Sequence, residues 1–264
     1  MPVQWVYWAG KLIKRASIVV VGTEILRGLV QEVNSHWLVK KLAEIGLDVA
    51  RVVIVPDDYG AIAWALESSI EVSDVVLVTG GLGFTEDDIT LDAAARALNL
   101  KLVLNAEAVE LLKKRVGERF QGYIKAAYIP EGGRPLYNSV GISPGVHLSI
   151  DGGNKDIFFL PGVPVEMVRM FEEHVEPILR NKYARYTARI SVVTEHSKES
   201  DVDSLIADIK KKYREAYFKT HASVPVAVSI LVPAHSQSEL KQKVESIVNE
   251  LKRLVKVRSI EVQT

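Results

Sequence analysis

Short runs of β-branched apolar residues alternate with segments of helical spacing along the first half of the chain. Three runs are followed directly by glycine or proline, namely Ser17–Val21, Val49–Val55 and Asp74–Thr79. Such runs are typical of strands buried in a parallel sheet. Helices are predicted at Asn34–Ile45, Ala61–Ile70, Leu91–Leu98 and Glu107–Phe120. The order predicts an α/β fold with a mainly parallel sheet, right-handed crossovers and helices on both faces.

The second half of the chain has a different pattern. Pro130–Gly145 is rich in Gly and Pro and is expected to be irregular. Two strands, Gly145–Ile150 and Asp156–Leu160, and a helix at about Val165–Arg180 should follow. The tail predicts a small α+β ferredoxin-like domain with elements at Thr187–Thr194, Val202–Tyr213, Ala216–His221, Val226–Val232, Gln237–Val255 and Ser259–Gln263. We therefore expect an N-terminal arm (residues 1–16), an α/β domain (17–183) and this small domain (184–264).

Composition narrows the function classes. The 264 residues include 33 basic and 33 acidic side chains, and this balance argues against a nucleic-acid or membrane-surface partner. Cysteine is absent, which excludes disulfides, thiolate catalysis and cysteine zinc sites. No apolar run is long enough for a membrane span, and the first 15 residues lack the charge order of a signal peptide. We expect a cytoplasmic protein.

The segment TGGLGFTEDDIT, Thr79–Thr90, is the first candidate for chemistry. Glycines at the carboxyl end of a buried strand let amide groups approach an anion, and ligands bind at that edge of open parallel sheets. Asp87 and Asp88 could bind a divalent metal that neutralises phosphate. The alternative is a plain turn with an aspartate that caps the next helix. The spacing matches neither a Walker loop nor a dinucleotide fingerprint.

Other polar segments follow neighbouring strands. After the first strand, Thr23 of Gly22-Thr23-Glu24 could contact phosphate and Glu24 could bind metal or a ribose hydroxyl, or the segment could be a solvated loop. After the second strand, Asp57 could reach a base or a sugar, or it could cap the next helix. The Gly/Pro-rich turns Asn138–Gly145 and Pro161–Pro164 could wall a pocket or only turn the chain. The six histidines show no metal-site spacing.

These segments occur in one characteristic order. The series runs VGTEILRG (21–28), NS (34–35), VPD (55–57), TGGLGFTEDDIT (79–90), PEG (130–132), NSVG (138–141), PG (144–145) and LPGVPVEM (160–167). It resembles the N-terminal domain of the competence-damage protein CinA, a member of the molybdopterin-binding domain superfamily. The resemblance covers about residues 17–181, and the tail resembles the small domain that follows in CinA.

The resemblance implies metal-dependent hydrolysis of the pyrophosphate of ADP-ribose to AMP and ribose 5-phosphate. Asp88 and Asp57 match acidic family positions and become the catalytic candidates, while Asp88, Asp87 and Glu24 become the candidate ligands of Mg²⁺ or Co²⁺. The ligand contacts would come from Gly22, Thr23, Asn34, Thr79, Gly80, Gly81, Leu82, Gly83, Lys125, Asn138, Gly141, Pro144, Gly145, Pro161 and Gly162. Self-associating relatives favour a homodimer.

Two departures from the family pattern qualify this hypothesis. The C-terminal amidase domain that CinA proteins commonly carry is not expected here. The Asn-Arg-Lys motif usual before the Pro-Glu-Gly turn is reduced to Lys125. Two alternatives therefore stay open: a molybdopterin-binding or adenylyl-transfer protein, with molybdopterin as the ligand, and a non-enzymatic nucleotide-binding module.

Overall fold

A computed structural model describes residues 14–183, 186–234 and 236–263, which form two compact units. The larger unit is built from residues 14–43 and 47–183, and the smaller one from residues 44–46, 186–234 and 236–263. Most of the predicted N-terminal arm and the predicted junction at 183/184 lie outside the described residues, so those domain limits stay predictions. Within the described ranges, no helix is long and apolar enough to cross a membrane.

The larger unit has a six-stranded sheet in the order β2-β1-β3-β8-β7-β6. Strands β1, β2, β3 and β8 run parallel, and β7 pairs antiparallel with both β8 and β6. The strands are β1 (Arg15–Val21), β2 (Asp48–Val55), β3 (Val75–Thr79), β6 (Arg134–Leu136), β7 (Gly145–Ile150) and β8 (Lys155–Leu160), with β4 (Leu102–Leu104) and β5 (Tyr128–Pro130) forming a separate pair. The predicted α/β class is confirmed, and β6 lies in the stretch expected to be irregular.

Helices cover the sheet because its central strands are apolar on both faces. Val19 and Val21 of β1 join one core cluster, while Ile18 and Val20 are buried on the opposite face. The helices are α1 (Thr23–Leu26), α2 (Asn34–Ile45), α3 (Tyr59–Val72), α4 (Thr90–Ala97), α5 (Ala106–Val116), α6 (Pro164–Met170) and α7 (Glu176–Tyr183). A π-helical turn, Phe171–Val175, joins α6 to α7.

One helix prediction is wrong beyond its first three turns. The predicted helix to Phe120 ends as α5 at Val116, and a 3₁₀ segment, Gly117–Ala127, continues from it. Gly117 lies at the C-cap with φ of 60°, a left-handed conformation that interrupts an α-helix and that glycine adopts at little cost.

The smaller unit is the predicted α+β fold. Its antiparallel sheet has the order β10-β11-β9-β12, with β9 (Tyr186–Thr194), β10 (Tyr217–His221), β11 (Ala227–Ala234) and β12 (Val257–Gln263). Its helices are α8 (Glu199–Leu205), α9 (Ala207–Lys212) and α10 (Gln237–Leu254). Buried residues such as Ile190, Ile230 and Ile247 form its core.

Candidate ligand-binding site

The register of the parallel strands brings four loops to one edge of the larger sheet. Val21 is paired with Val55, and Thr79 is paired with Leu160, so β1, β2, β3 and β8 end at the same level. The segments after these strands border a cavity of about 1190 Å³. This volume exceeds the usual range for small-molecule pockets, so it is ample for a nucleotide-sized ligand.

Most of the predicted site residues line this cavity. They are Gly22, Thr23, Glu24, Asn34, Asp57, Thr79, Gly80, Gly81, Leu82, Gly83, Asp87, Asp88, Gly141, Pro161 and Gly162. Four predicted ligand residues are not part of its lining, namely Lys125, Asn138, Pro144 and Gly145. Gly145 begins β7, where an added Cβ would meet the carbonyl of Phe159, so close strand packing accounts for this glycine.

The glycine loop after β3 is held by hydrogen bonds to β8 and to the first residue of α4. The Gly80 amide donates to the Leu160 carbonyl at 3.1 Å, and the Thr90 hydroxyl donates to the Gly80 carbonyl at 2.9 Å. Gly80 and Gly81 have φ of 100° and 66°, and an added Cβ would meet the Val21 carbonyl at Gly80 and the Thr90 hydroxyl at Gly81. This backbone is therefore restricted to glycine at both positions.

Asp88 organises the same loop. Its Oδ1 accepts the Gly83 amide at 2.8 Å, and its Oδ2 accepts the amide and the hydroxyl of Thr85 at 2.9 Å and 2.5 Å. Both oxygens of this candidate catalytic acid are thus engaged by donors of its own loop. The Gly83 amide is also engaged, which leaves the amides of Gly81 and Leu82 without a hydrogen-bond partner among the residues that the structure describes.

Asp57 makes an equivalent bridge between two other loops. Its Oδ2 accepts the Thr23 amide at 2.8 Å, while the Thr23 hydroxyl accepts the Asp57 amide at 3.0 Å. The segment after β1 is therefore held against the segment after β2 by a reciprocal pair. Asp58, and not Asp57, caps α3 by accepting the Ala61 amide.

Two buried polar atoms of lining residues lack a hydrogen-bond partner in the part of the chain that the structure describes. Asn34 donates its Nδ2 group to the Gly162 carbonyl at 2.8 Å, but its Oδ1 has no hydrogen bond. The hydroxyl of Thr79, at the end of β3, is also without a partner. Unsatisfied buried polar groups are uncommon in folded proteins and are often found at binding sites.

Asn138 contacts two residues of the cavity lining, Gly141 and Glu166, without lining the cavity itself. Its Oδ1 accepts the Gly141 amide at 2.6 Å, and its Nδ2 donates to Glu166 at 2.7 Å. Arg115 of α5 donates to the carbonyls of Val140 and Gly141. Asn138 and Arg115 thus shape the loop that contributes Gly141 to the lining.

Lys125 supports the glycine loop from the 3₁₀ segment. Its ammonium group donates to the Thr85 carbonyl. Beside it, the ring of Tyr123 meets Phe84 edge-to-face, with 4.7 Å between centroids. Lys125, the one residue left of the family's basic motif, therefore forms its hydrogen bond with a backbone carbonyl outside the cavity lining.

The cavity lining is acidic. Six described carboxylates line it, Glu24, Glu32, Asp57, Asp87, Asp88 and Glu166, against one basic residue, Arg27. Four of the six accept hydrogen bonds from protein groups; besides Asp57, Asp88 and Glu166, Glu32 accepts the amide and the hydroxyl of Ser35 at the start of α2.

The donor set does not fit a resident divalent cation at Asp88, Asp87 and Glu24. Within residues 14–183, 186–234 and 236–263, no group of three or more His, Cys, Asp or Glu side chains is arranged to hold a metal ion. Both oxygens of Asp88 already accept hydrogen bonds. The arrangement of these three side chains therefore does not support a divalent metal site.

A second polar cluster of the larger unit lies outside the cavity lining. The buried Asp156 accepts hydrogen bonds from Lys182 and Tyr183, both at 2.6 Å, and pairs with His147 at 2.9 Å. Burial opposes ionisation of Asp156, but these three partners outweigh it and hold the pKa of its carboxyl well below the ordinary value. Burial, followed by the bond to Asp156, raises the pKa of Tyr183.

Comparison with known proteins agrees with this geometry. Residues 17–181, more than half of the chain, match the family described as "Probable molybdopterin binding domain". The chain belongs to the molybdopterin-binding domain family. Its relatives within that family include CinA-like proteins, so the predicted resemblance to the N-terminal domain of CinA is confirmed.

Three relatives show how far the likeness extends. A protein of Pyrobaculum aerophilum is 36% identical over 256 residues, which are 92% of this chain and 95% of that protein. A CinA-like protein of Dictyoglomus thermophilum is 34% identical over 90% of this chain, which spans 59% of that protein. A CinA structure from Thermoplasma acidophilum, of unknown function, is 36% identical with a TM-score of 0.60, covering 63% of this chain and 98% of that one.

Among the charged and aromatic residues that line the cavity of this molybdopterin-binding domain, the sequence did not single out four: Arg27, Glu32, Phe84 and Glu166. Arg27, Phe84 and Glu166 lie inside the quoted motifs, so their position in the motifs was the available signal. Glu32 lies in the connection between α1 and α2, and no pattern distinguishes it from a solvated carboxylate.

Proposed function

We propose that the larger unit binds a small phosphorylated ligand with a planar ring, either a pterin phosphate of the molybdopterin type or a nucleotide. The observation that carries this proposal is the pair of unpartnered amides of Gly81 and Leu82 beside a large cavity at the carboxyl edge of a parallel sheet. Amide groups fixed in this way can donate hydrogen bonds to phosphate oxygens without rearrangement of the loop.

Phe84 supports the choice of a ligand with a ring. Its side chain lines the cavity, is 43% exposed, and is held by the edge-to-face contact with Tyr123. An exposed aromatic ring of fixed orientation is a stacking surface for a heterocycle, which both pterins and purines supply.

Hydrolysis of ADP-ribose is the second candidate function. The observation that favours it is that Glu24 and Asp87 line the cavity, and that their side-chain carboxylates make no hydrogen bond to the described part of the chain. A carboxylate that is not occupied by protein donors can accept a proton from an attacking water molecule. Water would add across the P–O–P bond, giving AMP and ribose 5-phosphate.

The proposed binding is tested by calorimetric titration with AMP, ADP-ribose and a 6-substituted pterin phosphate. We expect saturable binding that inorganic pyrophosphate displaces. Gly81→Ala should weaken it, because alanine costs about 1–2 kcal/mol in a left-handed conformation and its Cβ would meet the Thr90 hydroxyl. Gly122→Ala is the matched control, since nothing lies within 4 Å of its added Cβ. Absence of binding by all three ligands at about 1 mM would refute the proposal.

The second candidate needs a separate assay. The protein is incubated with ADP-ribose, with and without Mg²⁺ or Co²⁺, and AMP is measured by chromatography. AMP release above the metal-only blank supports hydrolysis, and its loss in Glu24→Gln or Asp87→Asn identifies the proton acceptor. Saturable ADP-ribose binding without any AMP release would exclude hydrolysis and leave the binding function intact.

A further inference from the structure

The acidic lining creates a problem for the phosphorylated ligand proposed above. Six carboxylates face a group that is itself negatively charged, and like charges in a cleft repel each other more strongly than in bulk water. Backbone amides supply only partial positive charge. A full cation that can reach the ligand would therefore strongly affect affinity.

Two basic side chains close to the cavity loops already donate hydrogen bonds to backbone carbonyls. Lys125 donates to the Thr85 carbonyl, and Arg115 donates to the carbonyls of Val140 and Gly141. Neither residue belongs to the cavity lining. Their role is to hold two loops in place, so they do not supply the missing cation.

Arg27 differs from both of them. It caps the C-terminus of α1, lines the cavity, and is followed by Gly28 at φ of 71°, where the chain turns back along the cavity towards α2. Its backbone amide donates to the Thr23 carbonyl, but its guanidinium has no hydrogen bond or ion pair with the described residues. Neither Glu24 nor Glu32 forms a salt bridge with it.

We infer that Arg27 is a specificity-determining residue that selects ligands by their phosphate groups. A guanidinium can donate two parallel hydrogen bonds to a phosphate, and it keeps its charge at all physiological pH values. Beside the Gly81 and Leu82 amides, it adds the one full positive charge among the described lining residues, and this charge favours a phosphate ester over the corresponding free nucleoside. This inference rests on the proposed binding function and assigns the phosphate-recognising charge within it.

The test measures the affinities of wild-type protein, Arg27→Ala and Arg27→Lys for ADP-ribose, AMP and adenosine by calorimetry. Arg119→Ala is the matched control, because it removes the same charge from an exposed position of the 3₁₀ segment outside the cavity lining. Thermal unfolding of each variant verifies that it is folded.

We expect Arg27→Ala to weaken binding of ADP-ribose and AMP about tenfold to a hundredfold, the usual loss for a charged hydrogen-bonded pair. Arg27→Lys should give an intermediate loss, because it keeps the charge but not the paired donors. Adenosine binding should stay unchanged in all variants. The affinity of Arg27→Ala should also depend less on salt concentration than that of the wild type.

The outcomes separate the two proposals. Wild-type affinity for AMP in Arg27→Ala overturns the role of Arg27 and leaves the binding function standing. An equal loss in Arg119→Ala, or an equal loss for adenosine in Arg27→Ala, also overturns it, since neither effect is phosphate recognition at the cavity. Failure of the wild-type protein to bind ADP-ribose, AMP and the 6-substituted pterin phosphate refutes the proposed function and the inference with it.

Discussion

Substitution of Asp88 by alanine should destabilise the glycine loop measurably. The change removes three hydrogen bonds, from the amides of Gly83 and Thr85 and from the Thr85 hydroxyl. A buried charged hydrogen bond is worth about 1.5–3 kcal/mol, but Thr85 is exposed and water replaces part of the loss. A capping carboxylate, worth about 0.5–2 kcal/mol, is the closer guide.

We therefore expect Asp88→Ala to lower the free energy of unfolding by about 2 kcal/mol and the Tm by about 4–8 °C. The stability of Asp88→Asn should lie between those of the wild type and Asp88→Ala. The asparagine side chain keeps one oxygen as an acceptor, but its NH₂ group replaces the other oxygen and places a donor against the donor groups of the loop. Asp87→Asn is the control, since the side chain of Asp87 makes no hydrogen bond among the described residues; its backbone carbonyl, which accepts the Ile89 amide, is unchanged by the substitution.

The assay combines urea and thermal unfolding with hydrogen exchange of residues 80–90. If Asp88 acts only in catalysis, Asp88→Asn abolishes ADP-ribose hydrolysis while the Tm and the exchange rates stay at their wild-type values. A Tm for Asp88→Ala within about 1 °C of the wild type, with unchanged loop exchange, would refute this structural role of Asp88.

Three further predictions follow from other contacts of the larger unit. The pKa of Asp156 in the folded protein lies below its unfolded value of about 3.9, so the stabilisation that the ionised carboxylate provides is complete above that pH and is lost as the pH falls. In urea titrations between about pH 5 and pH 2, Asp156→Asn should therefore make the free energy of unfolding depend less on pH. An unchanged pH dependence would contradict the lowered pKa of Asp156. Phe84→Ala should weaken binding of AMP but not of inorganic pyrophosphate, measured by calorimetry, and equal losses for both would rule out ring stacking. Thr23→Val, which removes the acceptor of the Asp57 amide, should cost about 1 kcal/mol in urea unfolding, whereas no change would show that water replaces the hydroxyl.

Sequence patterns located most of the site because it follows the ends of buried parallel strands. The runs at β1, β2 and β3 are short, apolar and followed directly by glycine or proline, so they indicated both the strands and the loops that meet at one edge. Helix α2 was predicted with its observed limits, Asn34–Ile45. In such a sheet, the position of the binding loops is largely a consequence of the hydrophobic pattern.

The bonding of the acidic residues could not be predicted from the same pattern. Asp57 is joined to Thr23, 34 positions earlier, and a sequence gives no indication of which donors a carboxylate will meet across a sheet edge. The same limit applies over a short distance at Asp88. Gly83 and Thr85 are near it in sequence, but only the folded loop turns both of their amides towards its carboxylate. The family resemblance suggested catalysis by Asp57 and Asp88, while their contacts show that both side chains support the loops.

The bond from Asn34 to the Gly162 carbonyl joins positions 128 residues apart, and the Gly80 amide reaches the Leu160 carbonyl at the end of β8. The cavity wall is therefore complete only when the strand that ends at Leu160 has joined the sheet beside β3. An N-terminal fragment could contain the whole glycine loop and still lack the acceptors that position it. Ligand binding consequently reports on the assembled larger unit, and recovery of binding during refolding would mark the arrival of β8 rather than the formation of the glycine loop itself.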